Sequence, residues 1–176
     1  MSTMTATEDR RSRLIELLRA SEAPITGSDL STELGVSRQV IVNDVAIVRA
    51  SGVPILGSPR GYVLVEGGDD RPISTISCRH DREGNRREFE ILVDRGIEVV
   101  DVVVEHPVYG ELTASLLVRS RADVDGYMDA IAGDGAQPLW ALTDGVHLHH
   151  LRAPSADALD AAKRELADAG ILLADD

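Results

Sequence analysis

The segment Asp144-Gly145-Val146-His147-Leu148-His149-His150 decides the interpretation of the second half of this chain. If it forms a β-strand, its side chains alternate between two faces, so His147 and His149 project together and His150 falls on the opposite face. Two imidazoles on one face are half of a metal site; a polar sheet face that carries histidines is the alternative. All five histidines lie at or after residue 80, which favours the metal site.

The segments on either side of this strand predict a mainly antiparallel sheet. Strands are expected over Ile73–Arg79, Ile97–Glu105, Tyr109–Val118 and Val146–Leu151, with a short one over Ile171–Leu173. Helices are expected over Asn85–Arg95, Ala122–Ile131 and Ser155–Ala169. The order β-α-β-β-α-β-α is typical of an α+β open-faced sandwich, in which the helices pack on one face of the sheet.

The first 66 residues show a different pattern, in which apolar residues recur at helical spacing. Three helices are expected, with apolar stripes at Leu14, Leu17 and Leu18, at Leu30 and Leu34, and at Ile41, Val45 and Val48. Gly35 and Ser37 are the residue types preferred at the end of the second helix and at the start of the third. Two short strands, Val53–Gly57 and Gly61–Val65, follow around a tip at residues 58–61. This part of the chain is therefore predicted to be a winged helix-turn-helix.

The exposed start of the third helix carries side chains that can read DNA. Arg38, Gln39 and Asn43 remain on the outer face once the apolar stripe is buried. Arginine can bind guanine through two hydrogen bonds, and glutamine or asparagine can bind adenine in the same way. Ser37 begins this helix, and Arg60 at the wing tip is placed for a phosphate or the minor groove. An ordinary solvated helix face is the alternative interpretation.

Charge is divided unevenly along the chain. Residues 1–65 carry seven basic and seven acidic side chains, so the whole net charge of −12 lies in residues 66–176. A neutral module can hold DNA if its arginines gather on one face, whereas the acidic part is expected to stay away from phosphates. The polar, glycine-bearing segment 67–72 is the expected linker between a DNA-binding domain, residues 1–66, and a regulatory domain, residues 73–176.

The composition argues against a membrane protein and against a disulfide-stabilised one. No run approaches the roughly 20 apolar residues of a membrane-spanning helix, and the N-terminus lacks the apolar core of a signal peptide. The single cysteine, Cys78, cannot form an internal disulfide, so a cytoplasmic protein is expected. A catalytic thiol is one interpretation of Cys78, and a buried residue of an apolar strand is the favoured one.

Motifs in both parts resemble known regulators. The first part is similar to the winged helix-turn-helix of biotin-ligase repressors and related regulators. The similarity lies in the segments Gly35-Val36-Ser37-Arg38-Gln39-Val40 and Gly61-Tyr62-Val63. The second part resembles the three-histidine, or 3H, domain of niacin-responsive transcriptional repressors. Two segments carry this resemblance: Glu105-His106-Pro107-Val108-Tyr109-Gly110-Glu111-Leu112-Thr113 and Leu142-Thr143-Asp144-Gly145-Val146-His147-Leu148-His149. Together the two resemblances cover nearly the full chain.

The resemblance implies a set of metal ligands. In that family a divalent metal is held by a histidine, a glutamate and a His-x-His pair, which correspond here to His80, Glu88, His147 and His149. Three imidazoles and one carboxylate suit zinc, nickel, iron or manganese, and thiolate-preferring metals are disfavoured because no cysteine is expected at the site. Glu90 is the rival carboxylate on the same helix.

The resemblance also implies a function. It is that of a repressor, not an enzyme, which responds to nicotinic acid and binds a palindromic double-stranded DNA operator as a homodimer to control genes for making or importing an NAD precursor. His106, Tyr109 and Trp140 are candidates for contacting this ligand, although a structural histidine and core aromatic residues would give the same sequence. A repressor that senses metal alone and a metal-dependent hydrolase fused to a DNA-binding module remain alternatives.

Overall fold

A computed structural model of the chain describes residues 6–67, 69–133, 135 and 137–173. The chain divides into two compact units between Asp69 and Asp70. Residue 68 of the predicted linker, residues 134 and 136 of the loop before the 3-10 helix, and both extreme ends of the predicted domains lie outside the described residues. The domain limits proposed from the sequence therefore stay predictions.

The first unit consists of three helices followed by a two-stranded antiparallel sheet. Its elements are α1 Ala6–Ala20, α2 Gly27–Glu33, α3 Arg38–Ala50, β1 Ile55–Ser58 and β2 Gly61–Leu64. Ser37 caps α3 because its side chain accepts a hydrogen bond from the Val40 N–H. Gly35, in the turn between α2 and α3, has a φ of +65°, which glycine adopts without the strain that a side chain would add. The predicted winged helix-turn-helix is confirmed.

The predicted apolar stripes of the three helices meet in the core of this unit. The buried side chains are Leu14, Leu18, Leu30, Ile41, Val45, Val48 and Ile55. Asp44 is buried with them, and its carboxylate accepts hydrogen bonds from Arg10 and Arg11 at 2.6 and 2.9 Å. Burial would raise the pKa of Asp44, but the hydrogen bonds from the two arginines outweigh it and lower that pKa. The ion pairs thus hold α1 against α3, the helix that carries the residues predicted to read DNA.

The second unit is a four-stranded sheet with three helices. Its elements are β3 Ile73–Arg79, α4 Arg82–Val93, β4 Glu98–His106, β5 Gly110–Val118, α5 Arg121–Gly133, a 3-10 helix Leu139–Thr143, β6 Val146–Arg152 and α6 Ala156–Asp168. The strands lie in the order β3-β6-β4-β5, and every neighbouring pair is antiparallel. The helices pack on one side of the sheet, around a core that includes Phe89, Leu92, Val104 and Leu166. The predicted α+β open-faced sandwich is therefore confirmed.

The helices of the second unit differ from the prediction in two places. Helix α4 begins three residues before the predicted Asn85, because the Asp81 side chain accepts hydrogen bonds from the N–H groups of Glu83 and Gly84. The 3-10 helix Leu139–Thr143 was not predicted, since five residues are too few to show a helical period. No helix in the described part of the chain has both the length and the apolar character needed to cross a bilayer.

The predicted final strand, Ile171–Leu173, is wrong. Within the described residues this segment forms a single bridge, between Leu172 and Cys78. The N–H of Leu172 donates to the carbonyl of Leu166 at 3.1 Å, at the end of α6. Two backbone hydrogen bonds join the segment to β3, from the Arg79 N–H to the Ile171 carbonyl at 2.8 Å and from the Leu173 N–H to the Ser77 carbonyl at 2.9 Å. The described residues therefore pair with β3 through one bridge and not through a ladder.

Candidate functional site

Four side chains proposed from the sequence lie together between the sheet and α4. His147 and His149 project from β6 to the helix side, His80 follows β3, and Glu88 lies on α4. The Nε2 atoms of His80, His147 and His149 lie 2.7, 3.2 and 3.5 Å from the carboxylate oxygens of Glu88. None of the four residues is more than 9% exposed. These residues are called the histidine cluster below.

A hydrogen bond to a backbone carbonyl orients each imidazole of the histidine cluster. The Nδ1 atoms of His80, His147 and His149 lie 2.7, 2.8 and 2.6 Å from the carbonyl oxygens of Asp81, Gly145 and Asp101. A carbonyl oxygen can only accept, so each Nδ1 carries the hydrogen and donates it. A neutral ring in this tautomer turns the lone pair of Nε2 toward Glu88. Metal-binding histidines are oriented by the same kind of partner on their other ring nitrogen.

The interior of the histidine cluster requires positive charge. Three Nε2 lone pairs and a carboxylate facing one another repel unless a proton or a cation lies between them. Among the described residues, neither the Glu88 Oε1 atom nor the His149 Nε2 atom has a hydrogen-bond partner, although both are buried. Leaving such atoms unsatisfied costs about 1–3 kcal/mol each. The arrangement therefore fits a bound cation better than it fits a purely structural cluster.

The charges within the histidine cluster also shift the pKa values of Glu88 and His149. Burial favours the neutral form of Glu88, but the charge of His149 and the nearby imidazoles of His147 and His80 outweigh burial and hold the pKa of Glu88 well below its usual value. Burial alone would lower the pKa of His149, and the negative charge of Glu88 raises it instead. Both shifts favour positive charge beside the Glu88 carboxylate.

Two glycines allow His80 to reach the cluster. Gly145 has a φ of +88°, and a Cβ atom there would lie 2.1 Å from the carbonyl oxygen of His80. Gly84 lies in the first turn of α4, where a Cβ atom would lie 2.6 Å from the Cβ of His80. Neither role was predicted from the sequence, although an Asp-Gly pair before a strand signals a turn that needs positive φ.

Asp101 is a further residue that the sequence analysis missed. It lies where the register of β4 against its neighbours shifts, and its carbonyl orients His149. Its carboxylate accepts hydrogen bonds from the N–H and Nδ1 of His150, at 3.2 and 2.9 Å. His150 thus lies on the face opposite His147 and His149, as strand alternation predicts. No local sequence signal marks the irregularity in β4.

The prediction that no cysteine lies at this site is wrong. Cys78 is fully buried on β3, directly opposite His147 on β6. Its Sγ atom and one ligand atom each of Glu88 and His147 all lie within 4.8 Å of one another. Burial, followed by the negative charge of Glu88, raises the pKa of the thiol above its usual value. The sequence concealed this contact because it depends on the pairing of β3 with β6 and on the packing of α4.

The structure separates the three residues suggested as ligand contacts. Trp140, on the 3-10 helix, packs edge-on against His80 with their ring centroids 5.2 Å apart, and its Nε1 atom is buried without a partner in the described residues. His106 and Tyr109 lie at the β4–β5 turn, where Tyr109 is 74% exposed. The Nδ1 atom of His106 accepts hydrogen bonds from the turn's backbone. The rival carboxylate of Glu90 lies outside the cluster and pairs with Arg121 at 2.6 Å.

Two cavities border the histidine cluster. The first, of about 580 Å³, is lined by His80 and Trp140, and its charged side chains are Arg79, Arg82, Asp81 and Asp144. Neither guanidinium forms an ion pair or a hydrogen bond within the ranges that the structure describes. The second cavity, of about 740 Å³, reaches His147 but is also lined by the carboxylates of Glu105 and Glu111. Both cavities are thus lined by carboxylates, and of the two it is the first that also offers guanidiniums as partners for an anion.

The side chains proposed for DNA reading are on the surface of the first unit. Arg38, Gln39 and Asn43 are exposed on α3, and Gln39 donates a side-chain hydrogen bond to Asn43 at 3.1 Å. Arg60 lies at the turn between β1 and β2. The next residue is Gly61, where a Cβ atom would lie 2.2 Å from a carbonyl oxygen of the segment before α2, so the wing packs closely on the helices.

The fold and the site together define a class of protein. A winged helix-turn-helix with exposed arginine and amide side chains is a DNA-binding module, and the second unit carries a buried cluster of polar side chains. The fold and the site thus define a DNA-binding protein with a second, separate domain. Comparison with known proteins identifies the family. Residues 10–63 match an HTH domain, and residues 73–175 match the 3H domain.

The relatives of this chain are transcription repressors. It is 41% identical over 170 residues to the transcription repressor NadR of Bacillus subtilis, covering 95% of this chain and 94% of the relative. It is 37% identical over 173 residues to the probable transcription repressor NiaR of Thermotoga maritima, covering 98% of each. The chain belongs to the NadR/NiaR family of transcription repressors. Its relatives are regulators, and it is accordingly a regulator and not an enzyme.

Proposed function

We propose that this chain is a niacin-responsive repressor of genes for NAD biosynthesis or niacin uptake. In this proposal a divalent metal, with nicotinic acid as co-repressor, binds the second unit, and a homodimer of the chain binds a palindromic operator. The observation that carries the proposal is the histidine cluster, in which three Nε2 atoms turn toward one buried carboxylate. Family membership supports the repressor role.

The chemistry of the cluster supports a metal held by His80, Glu88, His147 and His149. Bonds of roughly 2.0–2.2 Å to a tetrahedral cation place neighbouring ligand atoms roughly 3.4 Å apart. The distances from Glu88 Oε2 to His147 and from Glu88 Oε1 to His149, 3.2 and 3.5 Å, are of this size, and the distance from Glu88 Oε2 to His80, 2.7 Å, is shorter. When bound, the metal would supply positive charge and, if its shell expanded beyond four ligands, a coordination position for an effector. Zinc, nickel, iron and manganese all accept such ligands.

The stability of the metal-free protein is expected to decrease as the pH rises above about 6.5. Because the pKa of His149 is raised in the folded state, its contribution is complete below its unfolded pKa and is lost as the pH rises through the folded value. Because the pKa of Glu88 is lowered, its contribution persists above its unfolded pKa and is lost as the pH falls through the folded value. Chelator-treated protein should therefore be most stable at roughly pH 5–6.

Added zinc is expected to reverse the decrease of stability with rising pH. Metal binding needs neutral imidazoles and therefore competes with protons. The stabilisation by zinc should be small at about pH 5 and large at about pH 8. Thermal unfolding followed by the fluorescence of Trp140, the single tryptophan of the chain, measures it. A zinc effect that is equal at the two pH values would contradict a histidine-based metal site.

The cavity lined by Arg79, Arg82 and Trp140 is the proposed site for the effector. Nicotinate combines a flat aromatic ring with a carboxylate. Trp140 offers an aromatic wall, and the two unpaired guanidiniums offer hydrogen bonds that are strengthened by charge. The same cavity reaches His80, so a ligand there would lie beside the metal centre.

Replacing Arg82 by glutamine is expected to weaken nicotinate binding by roughly ten- to a hundred-fold, since a hydrogen bond to a charged group contributes about 1.5–3 kcal/mol. Nicotinamide, which has no carboxylate, should bind the wild type and the variant almost equally. Calorimetric titration of zinc-loaded protein measures both ligands. The matched control is Arg164→Gln, which makes the same charge change at an exposed position of α6 outside the cavity. Unchanged nicotinate affinity in Arg82→Gln would remove this cavity as the effector site.

The proposed function is tested by titrating nicotinate into full-length protein and operator DNA at saturating metal. A ligand shifts a conformational equilibrium only by its difference in affinity for the two states, so a co-repressor must tighten DNA binding. Tighter binding with nicotinate, and a loss of this response in chelator, would support the proposal. DNA binding that follows metal and ignores nicotinate would replace it with a metal-sensing repressor.

The two arginines of the first unit are expected to affect DNA binding differently. Arg38→Ala should relax base preference and cost about 1–3 kcal/mol on operator DNA, because a contact to a base edge is lost. Arg60→Ala should weaken binding to operator and random DNA by similar factors, because a contact to the backbone carries no sequence information. Fluorescence anisotropy with both DNA molecules at fixed salt measures this. Equal losses on the two DNA molecules for Arg38→Ala would place Arg38 outside the reading face.

A further inference from the structure

Cys78 faces the interior of the histidine cluster from the sheet. It lies on β3 with no exposed surface, and its partner in the β3–β6 pairing is His147. Its Sγ atom shares a region 4.8 Å across with ligand atoms of Glu88 and His147, all three residues being buried. The thiol thus faces the site between two of the proposed metal ligands.

Two unsatisfied atoms in the same region point to a ligand. In the described part of the chain, Glu88 Oε1 and His149 Nε2 are buried without a hydrogen-bond partner and lie 3.5 Å apart. A thiol is a weak hydrogen-bond donor and would satisfy a carboxylate poorly. A cation held by the sulfur, the Glu88 carboxylate and the His147 imidazole would give the carboxylate the partner that it lacks.

We propose that Cys78 is a further ligand of the metal centre, bound through its sulfur as a thiolate. The inference rests on the proposed metal site, and it adds sulfur to a donor set of three nitrogens and one oxygen. As the sulfur–metal bond forms, the thiol proton leaves to solvent and no electrons are transferred. The thiolate and the Glu88 carboxylate then carry two negative charges against a divalent cation. The buried centre has no net charge, which avoids the cost of burying one.

A thiolate ligand determines which metals the site prefers. Soft sulfur favours zinc and cobalt, whereas a site of imidazole and carboxylate alone also accepts manganese. Cys78 therefore acts as a specificity-determining residue for the metal. In competition, wild-type protein should take zinc in preference to manganese, and Cys78→Ser should lose part of that preference.

Cobalt spectroscopy of the full chain tests this directly. The protein is stripped with a chelator, kept in a thiol-free reductant and titrated with Co²⁺. Cobalt bound by the histidines gives visible d–d bands, and a bond to sulfur adds a near-ultraviolet charge-transfer band. Cys78 is the only cysteine of the chain, so no other residue can produce that band. We expect both sets of bands in the wild type, and loss of the charge-transfer band alone in Cys78→Ser.

The outcomes separate this inference from the function on which it rests. Visible bands without a charge-transfer band in the wild type would overturn the role of Cys78 and leave the metal centre standing. The absence of both would overturn the metal centre as well. Should Cys78→Ser fail to fold by circular dichroism, the wild-type spectrum still decides. Cys78→Ala provides a second variant, and persistence of the charge-transfer band in it would also overturn the inference.

Discussion

Glu88→Gln is expected to abolish tight metal binding and, with it, the response of DNA binding to nicotinate. The carboxylate is the group toward which all three Nε2 atoms turn, and glutamine keeps its size while removing its charge. Changes in residues that only orient metal ligands cost roughly 10- to 100-fold in affinity, so the loss of a ligand should exceed this. Metal content after dialysis and calorimetric titration with zinc measure the effect.

Glu90→Gln is the matched control for this prediction. It makes the same change on the same helix, but the carboxylate of Glu90 pairs with Arg121 and lies outside the histidine cluster. This variant should retain wild-type zinc affinity and the wild-type response to nicotinate. Circular dichroism checks that both variants remain folded. Wild-type zinc affinity in Glu88→Gln would remove the carboxylate from the metal site.

Gly145→Ala is expected to destabilise the second unit by more than about 2 kcal/mol, as left-handed strain and steric overlap add. Alanine is strained at a φ of +88°, and its Cβ atom would lie 2.1 Å from the His80 carbonyl oxygen. The backbone cannot give way without moving His80 out of the histidine cluster. Denaturant unfolding followed by Trp140 fluorescence measures the stability, and zinc titration of the folded variant should show weakened binding.

The variant Gly96→Ala separates the effect of backbone strain from that of steric overlap. Gly96 has a φ of +69° at the end of α4, and the nearest atom to its Cβ would be Pro154 Cγ at an ordinary 3.7 Å. It should cost about 1 kcal/mol from backbone strain alone and should leave zinc binding unchanged. If Gly145→Ala were no more destabilising than Gly96→Ala and bound zinc normally, the close approach to His80 would have no role in forming the site.

Most of the fold could be predicted from local patterns. The apolar stripes of α1, α2 and α3, and the caps at Gly35 and Ser37, depend on neighbours within one or two turns. In the second unit, the alternation of His147, Leu148 and His149 indicated correctly that the two histidines share one face of the strand. Short elements were missed or overextended, because five residues show no period and a three-residue segment can pair through a single bridge, as at Leu172.

Only part of the candidate site could be predicted from the sequence. The spacing of the histidines and the family resemblance selected four side chains that do lie together. Neither could reveal that Cys78 faces Glu88, that the carbonyl of Asp101 orients His149, or that Gly145 contacts His80. Each of these contacts joins residues that are distant in the chain.

The amino-acid sequence by itself determined two modules, their secondary structure and the chemical groups available for DNA and for a cation. Periodicity and capping are local properties, so they are expressed wherever those residues occur. Tertiary structure alone decided that a thiol shares a buried space with the carboxylate and the imidazoles, and that two arginines flank a tryptophan beside them. The reason is physical: strand pairing and helix packing set these distances, and they depend on the whole core and not on any one segment.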